Sequence, residues 1–176
     1  QGRLHGGVVG TLMTNFGIEQ AFREAGIDFA RAKVGDRYVM EQLFERDWYI
    51  GGEGSGHIVC RDVTTTGDGI VSALQVLSAL AEAGCAHLSD MLQGVHKTPQ
   101  TLINVRMKEK RDVTKVPEVA QAVAEAEGVL GDQGRVLIRL SGTEPVVRVM
   151  VEGTDKALVD ALAQQIAEVV RGLEQG

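Results

Sequence analysis

Between Val8 and about Val95, short β-branched runs alternate with stretches of helical periodicity, and this alternation constrains the fold more than any other property of the chain. Strands separated by helices return to the same end of a sheet and pair in parallel, which predicts a mainly parallel α/β unit of three layers. The pattern predicts strands at 8–13 and 27–34, and helices at 18–25 and 37–46. Short apolar runs at 48–50 and 57–60 then flank Gly51-Gly-Glu-Gly-Ser-Gly56. A helix beginning near Asp68 places Ile70, Leu74, Leu77 and Leu80 or Ala81 on one face, which is expected to point inward. Thr66 or Asp68 supplies its cap and Gly84 its stop.

The order changes after the polar stretch 96–100. A strand at 102–107 leads to a helix at 117–130 opened by Pro117, a strand at 135–140, a strand at 146–152 and a helix at 155–173. Two strands joined by four residues form a hairpin, so this half predicts a small α+β domain with an antiparallel sheet and two helices. The expected division is one domain at 1–96 and a second at 101–176; Gln1-Gly-Arg-Leu-His-Gly-Gly runs straight into a strand with neither a Met nor a cap, so the first is expected to be a piece cut from something longer. A parallel sheet without its full set of strands has an open edge, which favours a homodimer or strand exchange through the first unit.

The chain has 176 residues and a net charge of −6, which argues against a general nucleic-acid-binding surface and leaves any cationic site local. Cys60 and Cys85 make neither a disulfide framework nor a metal site; two buried thiols in a reducing, cytoplasmic setting are expected. No apolar run reaches the length of a membrane span. His5, His87 and His96 have no partners at metal-ligand spacing and are assigned nothing.

The stretch 139–148, Arg139-Leu-Ser-Gly-Thr-Glu-Pro-Val-Val-Arg148, carries the clearest chemistry. If Ser141 pairs with Val146, Arg139 falls opposite Arg148, and like charges directly opposite on a sheet destabilise it. An anion between them removes that cost. Arginine forks match phosphate oxygens, while Ser141, Thr143 and the N–H groups freed by Gly142 complete an anion nest. Glu144 would repel the anion and is expected to point outward. An ordinary hairpin with solvated arginines is the alternative.

A second constellation is Gly51-Gly-Glu-Gly-Ser-Gly-His57. Its glycines let a loop lie flat against a ligand, Glu53 and Ser55 offer the paired hydrogen bonding that sugar hydroxyls demand, and His57 donates to a phosphate or serves as acid or base. A flexible surface loop with the same letters is the competing reading. Gly35 and Arg37 precede a helix whose N-terminus attracts anions. The run Thr64-Thr-Thr-Gly-Asp-Gly69 is read as a helix cap.

Taken in order, Val34-Gly-Asp-Arg-Tyr-Val39, the Gly51–His57 loop, Thr65-Thr-Gly-Asp-Gly69 and the 139–148 stretch resemble the α-D-phosphohexomutase superfamily and, within it, the bacterial phosphoglucosamine mutase family. The resemblance covers nearly the whole chain and corresponds to most of that family's third domain and all of its fourth. It implies interconversion of glucosamine 6-phosphate and glucosamine 1-phosphate through glucosamine 1,6-bisphosphate. It implies that Glu53, Ser55 and His57 grip sugar hydroxyls, that Gly35 and Arg37 reach toward the reacting end, and that Arg139, Ser141, Gly142, Thr143 and Arg148 hold the phosphate not being transferred.

Two departures qualify the resemblance. Position 54 is Gly where relatives often carry a polar side chain. The chain also has neither the phosphoserine loop nor the Asp-x-Asp-x-Asp-Arg loop that holds Mg²⁺ in such enzymes, so these residues are expected to bind a sugar phosphate without turning it over. Another phosphohexomutase, or a non-catalytic module that binds sugar phosphates, is the alternative.

Overall fold

The computed structural model describes residues 4–174. The chain divides into two compact units, at 1–96 and 97–176. In the first, strands β1 (Val8–Thr11), β2 (Phe29–Ala32), β3 (Ile50–Gly52) and β4 (Ile58–Cys60) form a sheet in the order β2-β1-β3-β4. β1 pairs in parallel with both β2 and β3, and β3 turns back on β4 in an antiparallel hairpin.

The strand alternation decides where the helices lie. Ala30 and Ala32 face one side of β2 and cluster with Val9, Val39, Leu43 and Val59, so α2 (Asp36–Arg46) covers that side. Phe29 and Arg31 face the other. Phe29 stacks on Phe22 of α1 (Phe16–Glu24), and Arg31 donates to Glu19 Oε2 from both Nε, at 2.9 Å, and Nη2, at 2.6 Å. The sheet is therefore sandwiched between layers, as the strand and helix alternation requires. Gly51 lies where this packing is tightest: a Cβ there would come within 2.6 Å of Val39 Cγ1 and 3.0 Å of the Val9 carbonyl oxygen.

The helix α3 (Gly69–Glu82) forms as expected, with Asp68 Oδ1 accepting from the N–H groups of Ile70 at 2.8 Å and Val71 at 3.0 Å. Its orientation corrects the expected inward stripe. Ile70 is 75% exposed, Leu74 60% and Leu77 55%, whereas Ser72 is buried. The Ser72 hydroxyl lies within hydrogen-bond distance of the Ile58 carbonyl, at 2.9 Å, and of its own helix's Asp68 carbonyl, at 2.8 Å. That hydroxyl, with the Asp68 cap, fixes the rotation of α3 against β4 and turns the leucines outward. Cys60 is buried, and burial raises its thiol pKa above the ordinary value. Cys85 corrects the expectation of two buried thiols, because it follows the last turn of α3 and is only half-buried.

The second unit holds β5 (Gln100–Arg106), α4 (Pro117–Leu130), β6 (Gly134–Leu140), β7 (Val146–Gly153) and α5 (Lys156–Gly172). Its sheet is antiparallel in the order β5-β7-β6. Val105, Val147, Val149 and Val151 face the two helices and join Val119, Ala122, Ala126, Leu162, Ile166 and Val170 in one core. Pro117 opens α4, and the Asp155 side chain caps α5 by accepting from Ala157 N at 2.8 Å and Leu158 N at 3.1 Å.

The opposite face of this sheet is built in rows across β5, β7 and β6. Gln100, Glu152 and Arg135 form the first, Leu102, Met150 and Leu137 the second, and Asn104, Arg148 and Arg139 the third. The last row brings together Arg106, Val146 and, at the hairpin mouth, Ser141, whose N–H donates to the Val146 carbonyl at 2.8 Å.

Candidate functional site

The hairpin register expected from the sequence is the one observed: Arg139 lies directly opposite Arg148, and the connecting loop runs through Gly142 and Pro145. Two rows away on the same face, Arg135 is opposite a buried Glu152 and pairs with it at 2.7 Å from both Nε and Nη2. The same two strands thus neutralise one arginine and set two others against each other. Neither Arg139 nor Arg148 has a hydrogen-bond or ion-pair partner among the described residues. Burial, and then the charge of Arg148, lower the pKa of the Arg139 guanidinium below its ordinary value. A dianion between the two forks would relieve that repulsion.

The loop itself offers further donors. Ser141 is buried, while Gly142, Thr143 and Glu144 are exposed, so Glu144 is turned to solvent as the sequence reading expects. The N–H groups of Gly142 and Thr143 have no acceptor among the described residues. Two contacts from the segment after β5 help to hold the loop in place. Met107 N donates to the Pro145 carbonyl at 2.8 Å, and Lys110 Nζ donates to the Gly142 carbonyl at 2.6 Å. A trans peptide points its C=O and the following N–H in opposite directions, so fixing the Gly142 oxygen also aims the Thr143 N–H. Reading the sequence alone missed Lys110. The cationic run Lys108 to Arg111 directly after a strand was the available signal, but nothing local shows that it lies along a loop 32 residues later.

In the first unit, the loops that follow β2 and β3 meet at the carboxyl ends of those parallel strands. Open parallel sheets present ligand sites at that end. Gly35 enters α2 at φ +126°, a backbone conformation reserved for glycine, and its N–H donates to Glu53 Oε1 at 2.8 Å. Glu53 thereby places a carboxylate at the N-terminal end of α2, where the helix dipole favours it, and its Oε2 has no partner among the described residues. The loop closes through Glu53 N to the His57 carbonyl at 2.9 Å and Gly56 N to the Glu53 carbonyl at 3.0 Å. Ser55 Oγ and His57 Nδ1 lie 3.1 Å apart, a contact that orients the imidazole and leaves its Nε2 unengaged among the described residues. Of the residues expected here, Gly35, Glu53, Ser55 and His57 are brought together. Arg37 is not: its side chain is 82% exposed and runs along its own helix to Glu41 Oε1 at 2.9 Å.

Comparison with known proteins gives this geometry a family. Residues 1–98 match the model of the phosphoglucomutase/phosphomannomutase alpha/beta/alpha domain III, and residues 102–169 match that of the phosphoglucomutase/phosphomannomutase C-terminal domain. The chain belongs to the phosphoglucomutase/phosphomannomutase family. Curated relatives named phosphoglucosamine mutase are 58% identical over 98% of this phosphohexomutase chain in Hahella chejuensis and 56% identical over 97% of it in Methylococcus capsulatus. The chain spans 38% of the length of each. Among solved structures, Aspergillus fumigatus N-acetylphosphoglucosamine mutase superposes with a TM-score of 0.81 at 21% identity, covering 98% of this chain and 39% of that one. At that identity the likeness speaks for the phosphohexomutase fold alone.

Among the described residues no group of three His, Cys, Asp or Glu side chains converges where a metal ion could sit. No described helix is long and apolar enough to cross a membrane.

Proposed function

We propose that this phosphohexomutase chain supplies sugar- and phosphate-holding residues to a phosphoglucosamine mutase, which interconverts glucosamine 6-phosphate and glucosamine 1-phosphate through glucosamine 1,6-bisphosphate. The observation that carries the reading is the Arg139–Arg148 juxtaposition, two guanidiniums opposed across a ladder without an acidic partner among the described residues. In this reading Arg139, Ser141, Gly142, Thr143 and Arg148 hold the phosphate that is not being transferred. Glu53, Ser55 and His57 grip hydroxyls, and Gly35 lies toward the reacting end of the sugar, while Arg37, held by Glu41, is left out of this reading.

The names of the relatives support the substrate. Eight bacterial proteins between 55% and 58% identical are called phosphoglucosamine mutase. One solved neighbour is described in complex with GlcNAc-6P and magnesium, and another with glucose 1,6-bisphosphate. In such a reaction the bisphosphate must turn over so that either phosphate meets the phosphoryl acceptor. A holder for the spectator phosphate is therefore as necessary as the transfer residues.

The chain's own contribution is binding and orientation, since these residues include no phosphoserine loop. Calorimetric titration of the purified chain with glucosamine 6-phosphate tests this. Saturable binding, with no glucosamine 1-phosphate formed on prolonged incubation, is the expected result. Absence of binding would overturn the assignment of the loops, and measurable mutase turnover would overturn the limit placed on the chain.

A further inference from the structure

The arginine pair at the hairpin occupies only two of the three strands. On the third, β5 places Asn104 in the same row as Arg148 and Arg139, and Arg106 one row nearer the loop. Arg106 is directly opposite Val146, so it is the diagonal neighbour of Arg148 on the same face. Diagonal positions in an antiparallel pair lie about 7–8 Å apart, within reach of long side chains. Arg106 is exposed and, like Arg139 and Arg148, has no hydrogen-bond or ion-pair partner among the described residues. Its backbone is also anchored to the end of the loop, because the next residue, Met107, donates its N–H to the Pro145 carbonyl at 2.8 Å.

A solvated arginine on an edge strand is ordinary by itself. What distinguishes Arg106 is the company it keeps. The first row of this face neutralises its arginine with a buried carboxylate, and the second row is apolar. The third and fourth rows bring Arg139, Arg148 and Arg106 together with no acid opposite any of them, and Lys110 adds a fourth cation at the loop. Charge is thus concentrated at one end of the face. A phosphate monoester carries nearly two negative charges at neutral pH and three acceptor oxygens, so two guanidiniums can balance its charge and still leave acceptor positions for a third donor.

We propose that Arg106 is a third phosphate-binding arginine, donating to the same dianion as Arg139 and Arg148. This inference rests on the reading of the hairpin as a phosphate holder, and it extends that holder from β6 and β7 onto β5. Arg106 lies at the loop end of the face and approaches the dianion from the β5 side, opposite Arg139.

The test is titration of the whole chain with inorganic phosphate and with glucosamine 6-phosphate, comparing R106A, R106K, R148A and, as a charge-loss control, K115A. Loss of a charge-assisted hydrogen bond weakens binding by roughly tenfold or more. R106A should show that loss for both ligands, R106K should recover only part of it because lysine lacks the planar fork, and K115A should bind as the unsubstituted chain does. Wild-type affinity in R106A with a clear loss in R148A would overturn the role of Arg106 and leave the hairpin reading standing. Wild-type affinity in both would overturn the two together. A measurement needing no substitution guards against altered folding: the Arg106 Nε–H resonance should move on saturation with inorganic phosphate, and a stationary signal would overturn the proposal.

Discussion

The backbone N–H of Gly35 donates to Glu53 Oε1 at 2.8 Å and so joins two loops that are 18 residues apart in sequence. Glu53 is therefore a structural acceptor before it is a ligand contact. A half-buried N–H at the entrance to α2 would lose a charged partner on truncation. E53A should lower the stability of the first unit by about 1.5 kcal/mol, the range for a hydrogen bond to a charged group. Thermal unfolding of E53A beside E53Q checks this, with the glutamine expected to restore much of the loss because its carbonyl still accepts.

Arg148 should behave in opposite ways with and without ligand. Replacing it by Met removes a like charge across from Arg139, so R148M without phosphate should be as stable as the unsubstituted chain or more stable by up to about 1 kcal/mol. With saturating phosphate the same variant should forgo the stabilisation the ligand confers, its binding weakened by about 1.5–3 kcal/mol. Melting curves recorded with and without phosphate give both values. A variant destabilised in the absence of phosphate and unaffected in its presence would mark the pair as an ordinary part of the hairpin.

Lys110 touches the loop through the Gly142 carbonyl, and so positions the following Thr143 N–H in addition to lending its charge to the cluster. K110M should weaken phosphate binding several-fold, by about 1 kcal/mol, while K110R retains the contact and most of the affinity. The amide resonance of Thr143 is the readout that separates positioning from simple charge loss. It should shift in K110M before any ligand is added and stay near its original position in K110R.

The Arg135–Glu152 pair carries a larger stability consequence. Glu152 is fully buried, and removing one partner of a buried pair leaves the other charge uncompensated. E152A should destabilise the second unit by about 3–5 kcal/mol, measured by urea unfolding, whereas a double apolar replacement of both residues should cost far less.

Much of this molecule was legible in the letters, where the information was local. The register that sets Arg139 against Arg148 follows from β-branched runs on either side of a four-residue loop, and α4 begins at the proline that marks it. Asp68 caps α3 as its composition suggests. What could not be read depends on partners distant in sequence. The leucines of α3 have helical spacing whichever way they point, and the rotation is decided by a serine hydroxyl reaching the Ile58 carbonyl on β4. Arg106 and Lys110 look like any exposed cations until strand pairing brings β5 alongside β7. Arg37 satisfies the pattern of an anion-binding helix entrance, yet the geometry of one helical turn gives it Glu41 instead.

The hairpin loop is tied down at three points: Ser141 N to the Val146 carbonyl, Met107 N to the Pro145 carbonyl, and Lys110 Nζ to the Gly142 carbonyl. A loop so fastened has already lost its conformational freedom when the chain folds, so an anion binding as proposed would meet donors already in position, with little ordering left to oppose it. Its capture would then depend chiefly on how quickly the field of the clustered cations draws it in, an influence that weakens as ionic strength rises.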